Sequence, residues 1–192
     1  MGRPKQFDPD VAVEQAMATF WRKGYASTTP QDLVAALGIG KGSLYNTFES
    51  KHALFERALR RYRDTAAAEL VEMLGRPGPV KERLRAAMEA IVEFDLADPD
   101  RKGCFAVNTA AELAGVDPEA TGLVARMFAR TESALLAVIE EGQRSGELDP
   151  GRDAEAIASM LLAVVIGMRV LAKTADGPAQ LRRTVDAALD AC

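Results

Sequence analysis

The most constraining stretch of this 192-residue chain is Gly38-Ile39-Gly40, set between two short apolar-faced segments. Upstream, Leu33, Val34 and Leu37 recur at helical spacing, Pro30 suits a first helical turn, and Thr28 or Thr29 can cap it. Glycine flexibility lets the chain turn sharply, with Ile39 plugging the gap. Downstream, Lys41 to Phe48 makes a helix of barely two turns. Leu44 and Phe48, four residues apart, point inward, leaving Lys41, Ser43, Tyr45, Asn46 and Thr47 outward. Two helices joined by a tight turn, the second with a face of cation, hydroxyls and amide, predict a helix-turn-helix. That face suits the donors and acceptors of the DNA major groove and its flanking phosphates.

The run GSLYNTFESKHALFERAL, Gly42 to Leu59, resembles the recognition helix and following helix of TetR-type transcriptional regulators. Their pattern is Ser/Thr-Leu-Tyr-x-x-Phe-x-x-Lys-x-x-Leu after a Leu-Gly-Ile/Val turn. The likeness reaches upstream through Leu37-Gly38-Ile39, Thr28-Thr29, Gly24-Tyr25 and Ala16 to Phe20, about a third of the chain. It implies a dimer and a small-molecule pocket in the C-terminal body, and it supports Tyr45 and Lys51 as phosphate contacts. Lys41, Gly42, Ser43, Tyr45 and Asn46 are expected in or beside the groove, and Thr28, Thr29 and Lys51 on phosphates. Asn46 suits adenine and Lys41 guanine. Gly42 stands where the family commonly has a larger residue. His52 reads as an exposed helix residue.

The net charge of −4 divides unevenly. Residues 1–63 carry ten Lys/Arg against six Asp/Glu, a net of +4; residues 64–192 carry fourteen against twenty-two, a net of −8. A basic head on an acidic body fits a protein whose N-terminal part meets a polyanion. Arg3 and Lys5 resemble a basic arm that reaches phosphates or a minor groove. The start MGRPKQFD has no signal-like apolar core, so a cytoplasmic protein is expected. The apolar run Ala156 to Ala172 is broken by Ser159, Gly167 and Arg169, which predicts a buried helix and no membrane partner. Cys104 and Cys192 make no disulfide framework or metal spacing, and His52 is the single histidine. No cofactor, metal or catalytic residue is predicted, and an enzyme is disfavoured.

The rest of the chain reads as helix, giving an all-α fold of about nine helices. Asp8 or Asp10 caps a first helix over Pro9 to Lys23, with Val11, Ala12, Ala16, Thr19 and Phe20 inward and Gly24 ending it. A long helix four, capped by Ser50, runs to Leu74. Gly75-Arg76-Pro77-Gly78-Pro79 is the strongest break. The expected domains are a DNA-binding head over 1–67, with helix four continuing to about 74, and a ligand-binding and dimerisation body over 75–192. Helices follow over Val80–Ala97, Cys104–Ala114, Pro118–Ser145, Asp153–Lys173 and Pro178–Asp190, Asp117 capping the third of these.

The helix expected over Asp153–Lys173 is too broadly apolar for a one-sided surface helix, so a second copy is expected to cover it. Ala158, Ala163 and Gly167 permit close approach, and the helix expected over Pro178–Asp190 adds Leu181, Val185, Ala188 and Leu189. Two such heads predict a palindromic operator, and pocket occupancy is expected to release it. Phe94, Phe105, Asn108, Met127, Phe128 and Met160 combine apolar walls with one amide and are candidate pocket residues. Cys104 follows Arg101 and Lys102 at a helix start, a setting that favours a thiolate and an electrophile- or redox-sensing variant of the repressor; the competing and preferred reading is a small buried hydrophobe packing under Phe105. The rival from another class is a helical protein-interaction adaptor without sequence-specific DNA binding.

Overall fold

The computed structural model describes residues 7–192, and Arg3 and Lys5 lie outside them. Ten helices and no strands are found among the described residues. Four make the head: α1 (Pro9–Lys23), α2 (Pro30–Leu37), α3 (Lys41–Phe48) and α4 (Lys51–Asp64). Six follow: α5 (Ala66–Leu74), α6 (Val80–Ala97), α7 (Phe105–Leu113), α8 (Pro118–Ser145), α9 (Ala154–Leu171) and α10 (Ala179–Asp190).

The caps are those the sequence supplies. Asp8, Ser50, Asp117 and Asp153 each accept a backbone N–H of the first turn of the helix they precede, satisfying donors a helix start otherwise leaves open. Thr29, not Thr28, caps α2: its hydroxyl accepts from Asp32 N while the Asp32 carboxylate accepts from Thr29 N, a reciprocal capping box. In α1, Ala12, Ala16, Thr19 and Phe20 face inward as expected, and only Val11 does not. Val13 and Met17 are buried, and Val11 is 54% exposed.

The expected long fourth helix breaks at Thr65, whose φ and ψ of −115° and −97° are far from helical. The Thr65 hydroxyl donates back to Arg61 O at 2.9 Å, a local bond that competes with the helical ladder and bends it. That break makes ten helices of the expected nine.

Two apolar cores organise the packing. The first joins α1 to α4 with α7 and the N-terminal half of α8, as far as Met127. Phe105 sits at its junction, its ring 5.7 Å from both Phe55 and Tyr62 and 6.1 Å from Trp21. The second gathers α6, the C-terminal half of α8, α9 and α10. Leu181, Val185, Ala188 and Leu189 of α10 are buried in this second core, so they face their own chain and not a partner.

In α9, Ile157, Ala158, Leu161, Val165 and Met168 point into the same core. Its other side, with Ala163, Val170 and Leu171, is exposed, and a Cβ on Gly167 would meet nothing. Ala158 is therefore a core residue, while Ala163 and Gly167 keep the outward position expected of them. Among the described residues α9 is the one helix long and apolar enough to cross a membrane. Its capped start and five core contacts instead seat it in the helical body.

Candidate nucleic-acid interface

The turn between α2 and α3 is made by Gly38, whose φ of 62° lies in the left-handed region that glycine enters without a Cβ penalty. Ile39 is half-buried against the head core. Leu44 and Phe48 anchor α3, 2% and 0% exposed. This orientation leaves Lys41, Gly42, Ser43 and Asn46 exposed, with Tyr45 and Thr47 half-buried beside them. Gly40 precedes α3 without a side-chain cap, so the first N–H groups at the positive end of the helix dipole have no side-chain acceptor from the cap. This is a surface of donors on a rigidly anchored helix.

Three expected phosphate contacts stand differently. Thr29 is exposed and holds the capping box. Thr28 is corrected: it is 1% exposed, and its hydroxyl donates to Gly24 O at 2.6 Å. Lys51 is half-buried, donating to Tyr25 O at 2.8 Å and Thr28 O at 2.9 Å, with its ammonium 4.2 Å from the Tyr25 ring. Its first role is to hold the turn before α2, which leaves one ammonium proton of three for any outside acceptor.

The same turn is held from the body. The Glu112 carboxylate on α7 accepts from Tyr25 N at 2.9 Å and Ala26 N at 2.6 Å. Gly24 makes room: its φ of 80° and ψ of 165° suit glycine almost alone, and a Cβ there would lie 2.9 Å from a Glu112 oxygen. His52 is likewise no free surface residue. Its Nε2 lies 2.7 Å from Asp117 Oδ2 and its Nδ1 3.1 Å from Glu56 Oε1. The Ala120 N–H first, then His52, hold the Asp117 carboxyl below its usual range. Burial, reinforced by nearby Glu119, pushes Glu56 up. Trp21 adds a bond from Nε1 to Gly103 O at 3.0 Å.

The expected pocket residues scatter. A cavity of about 50 Å³ is walled by Cys104, Met127 and Phe128 together with Tyr62, Val107 and Arg169. Phe94 is 54% exposed and borders a neighbouring groove between α5 and α6. Phe105 is packed solid in the core junction, and Met160 packs at the edge of the second core. Asn108 donates to Lys102 O and accepts from Lys173, in a polar cleft on the other side of α7. Arg169 was legible only as an interruption in an apolar run.

Cys104 is buried at the start of α7, its Sγ 3.3 Å from the Tyr62 hydroxyl. The cations expected to activate it are turned elsewhere: Arg101 donates to Ala172 O, and Lys102 pairs with Asp98. Arg169, across the cavity wall, is the cation that shares its surroundings.

Two family models match the chain: "Bacterial regulatory proteins, tetR family" over residues 12–58, and "Tetracyclin repressor-like, C-terminal domain" over residues 80–188. The chain belongs to the TetR family. An uncharacterized HTH-type transcriptional regulator of Bacillus subtilis (strain 168), YezE, is 34% identical over 98% of this chain and 98% of its own. The HTH-type transcriptional repressor ComR of Escherichia coli (strain K12) is 31% identical, over 90% of this chain and 82% of its own. A cysteine-substituted TetR family regulator, CifR, solved with a 26-base-pair operator duplex, superposes with a TM-score of 0.84 at 27% identity, covering 98% of this chain and 99% of that one. As a TetR-family protein this chain is a helix-turn-helix transcriptional regulator, and its relatives are regulators in place of enzymes.

Proposed function

We propose that the chain is a repressor, that two copies bind a palindromic operator through α3, and that a small molecule in the body releases it. The observation that carries this reading is α3 itself, pinned by Leu44 and Phe48 so that Lys41, Ser43, Tyr45 and Asn46 share one outward side. In this reading Asn46 and Lys41 meet base edges, while Tyr45, Thr29 and the remaining proton of Lys51 meet phosphates. Residues 1–67 form the DNA-binding domain and 75–192 the ligand-binding and dimerisation domain. The uncovered side of α9, with Ala163 and Gly167, is the contact between copies. The protein works in the cytoplasm, where its DNA is.

Release needs a path from body to head, and α7 supplies one. Its first turns wall the cavity through Ala106 and Val107, and its last turn holds the head through Glu112. Ligand that displaces α7 shifts the turn before α2 and, through Lys51, the start of α4. A ligand shifts this equilibrium only by its preference for the released arrangement.

The test is selection from a random duplex library at moderate salt. A palindrome with half-sites about one helical turn apart, roughly 10 base pairs, is expected. No enriched sequence, with salt-independent behaviour, would instead favour a protein-interaction adaptor.

A further inference from the structure

Arg169 is joined to the buried carboxylate of Asp95 by a single hydrogen bond. Its side chain, 14% exposed, donates from Nη2 to Asp95 Oδ1 at 2.8 Å, and that carboxylate is 1% exposed. Asp95 Oδ2 and Arg169 Nε are both buried without a hydrogen-bond partner. Guanidinium and carboxylate are matched forks that ordinarily meet through two parallel bonds. Here two charges leave water for a single bond, an arrangement whose desolvation the pair itself repays poorly.

The position of the pair supplies a reason. Arg169 borders the 50 Å³ cavity on one side and, on the other, a groove of about 190 Å³ walled by Leu70, Met73, Ile91 and Phe94. Leu70 also borders both spaces. The guanidinium thus stands between two small apolar chambers, with its central carbon 6.0 Å from the centroid of the Phe94 ring. Each chamber is below the roughly 300 Å³ of a drug-sized pocket, which favours a slender molecule.

We propose that the effector is a small amphipathic monocarboxylate, its carboxylate paired with Arg169 and its apolar body lying in the chambers beside α5, α6 and α9. This deepens the ligand-release reading and rests on it. A carboxylate fits better than a phosphate because its planar fork matches the guanidinium and it brings one charge, not two, beside Asp95. An apolar alcohol would fill the same chambers and leave Arg169 as it is. An amine would set a cation against the guanidinium.

Calorimetric titration of the full-length protein with sodium octanoate, 1-octanol and octylammonium tests the assignment, with operator release followed separately by fluorescence anisotropy. Octanoate is expected to bind at least about tenfold more tightly than the other two. Because Arg169→Gln alone would strand Asp95 in the interior, the informative variant is the double change Arg169→Gln with Asp95→Asn. It should melt near the wild-type temperature, keep any octanol binding and lose octanoate binding by about tenfold or more. Asp95→Asn alone should strengthen octanoate binding. Equal affinity for octanoate and octanol, undiminished octanoate binding in the double variant, or no octanoate binding by an operator-competent protein would each overturn the proposal. Octanoate that binds through Arg169 yet leaves the operator complex intact would uphold the anion site and remove the release reading instead.

Discussion

His52 on α4 and Asp117 at the start of α8 meet at 2.7 Å, so the helix that follows the DNA-facing element is tied to the cap of the longest helix in the body. Asp117 does two jobs with one carboxylate: Oδ1 caps α8, and Oδ2 takes His52. Because this carboxyl is held below the ordinary range, its contribution is present above the unfolded-state pKa and fades as pH falls through the folded one. Asp117→Asn keeps a capping side chain but not the charge. The variant should melt below wild type at neutral pH, and the gap should close on acidification toward about pH 3, followed by thermal denaturation across that range.

Gly24 lies directly against the Glu112 carboxylate of the body. Gly24→Ala forces a Cβ into a glycine-only conformation and against Glu112. A loss of about 1–3 kcal/mol is expected in denaturant unfolding. The effect of Glu112→Ala should not add fully to it, since both act on one contact.

Gly42 is the opposite case. It lies within α3 and a Cβ there would meet nothing, so Gly42→Ala should stabilise the protein by about 0.5–1 kcal/mol. A thermal shift assay reads the gain. If Gly42 lies against the groove, operator affinity should fall while stability rises, a combination a purely structural residue does not give.

On DNA, Lys41→Ala should cost about 1–3 kcal/mol on the preferred operator and relax the preference for guanine at one position per half-site. Asn46→Ala should cost about 1–3 kcal/mol on the preferred operator and relax the choice of base at one position per half-site. Titrations on matched and mismatched duplexes read both effects.

Phe105 packs against Trp21, Phe55 and Tyr62 from the body side. Phe105→Ala should cost about 3–5 kcal/mol and loosen the head from the body, giving two unfolding transitions in calorimetry where wild type gives one.

Local chemistry was the most legible. Pro30, Asp117-Pro118, Ser50 and Gly38 mark helix ends by what their own atoms do, and each acts as predicted. Leu44 and Phe48 followed from spacing alone. In α1 the inward places of Ala12, Ala16, Thr19 and Phe20 followed too, but Val11 and Val13 are equally apolar and only packing chooses between them. Thr28, Lys51 and His52 were read as reaching outward, since a sequence cannot show that a carbonyl or carboxylate waits nearby. Glu112 was invisible for the same reason: its partners are backbone N–H groups 86 and 87 residues away, and backbone carries no sequence signal. Arg169 and Asp95, 74 positions apart, become a pair only through tertiary packing.

The open side of α9 makes the chain's abundance part of its own thermodynamics. In the proposed dimer this helix, apolar enough for a bilayer yet covered by its own chain along one side alone, gains its remaining cover from a second copy. Folding and pairing are then linked by mass action, so dilution lowers the melting temperature and doubling the concentration raises it. A cell that lowers synthesis of such a regulator lowers the paired fraction as well as the copy number. Loss of occupancy at a two-fold site is then steeper than the fall in protein.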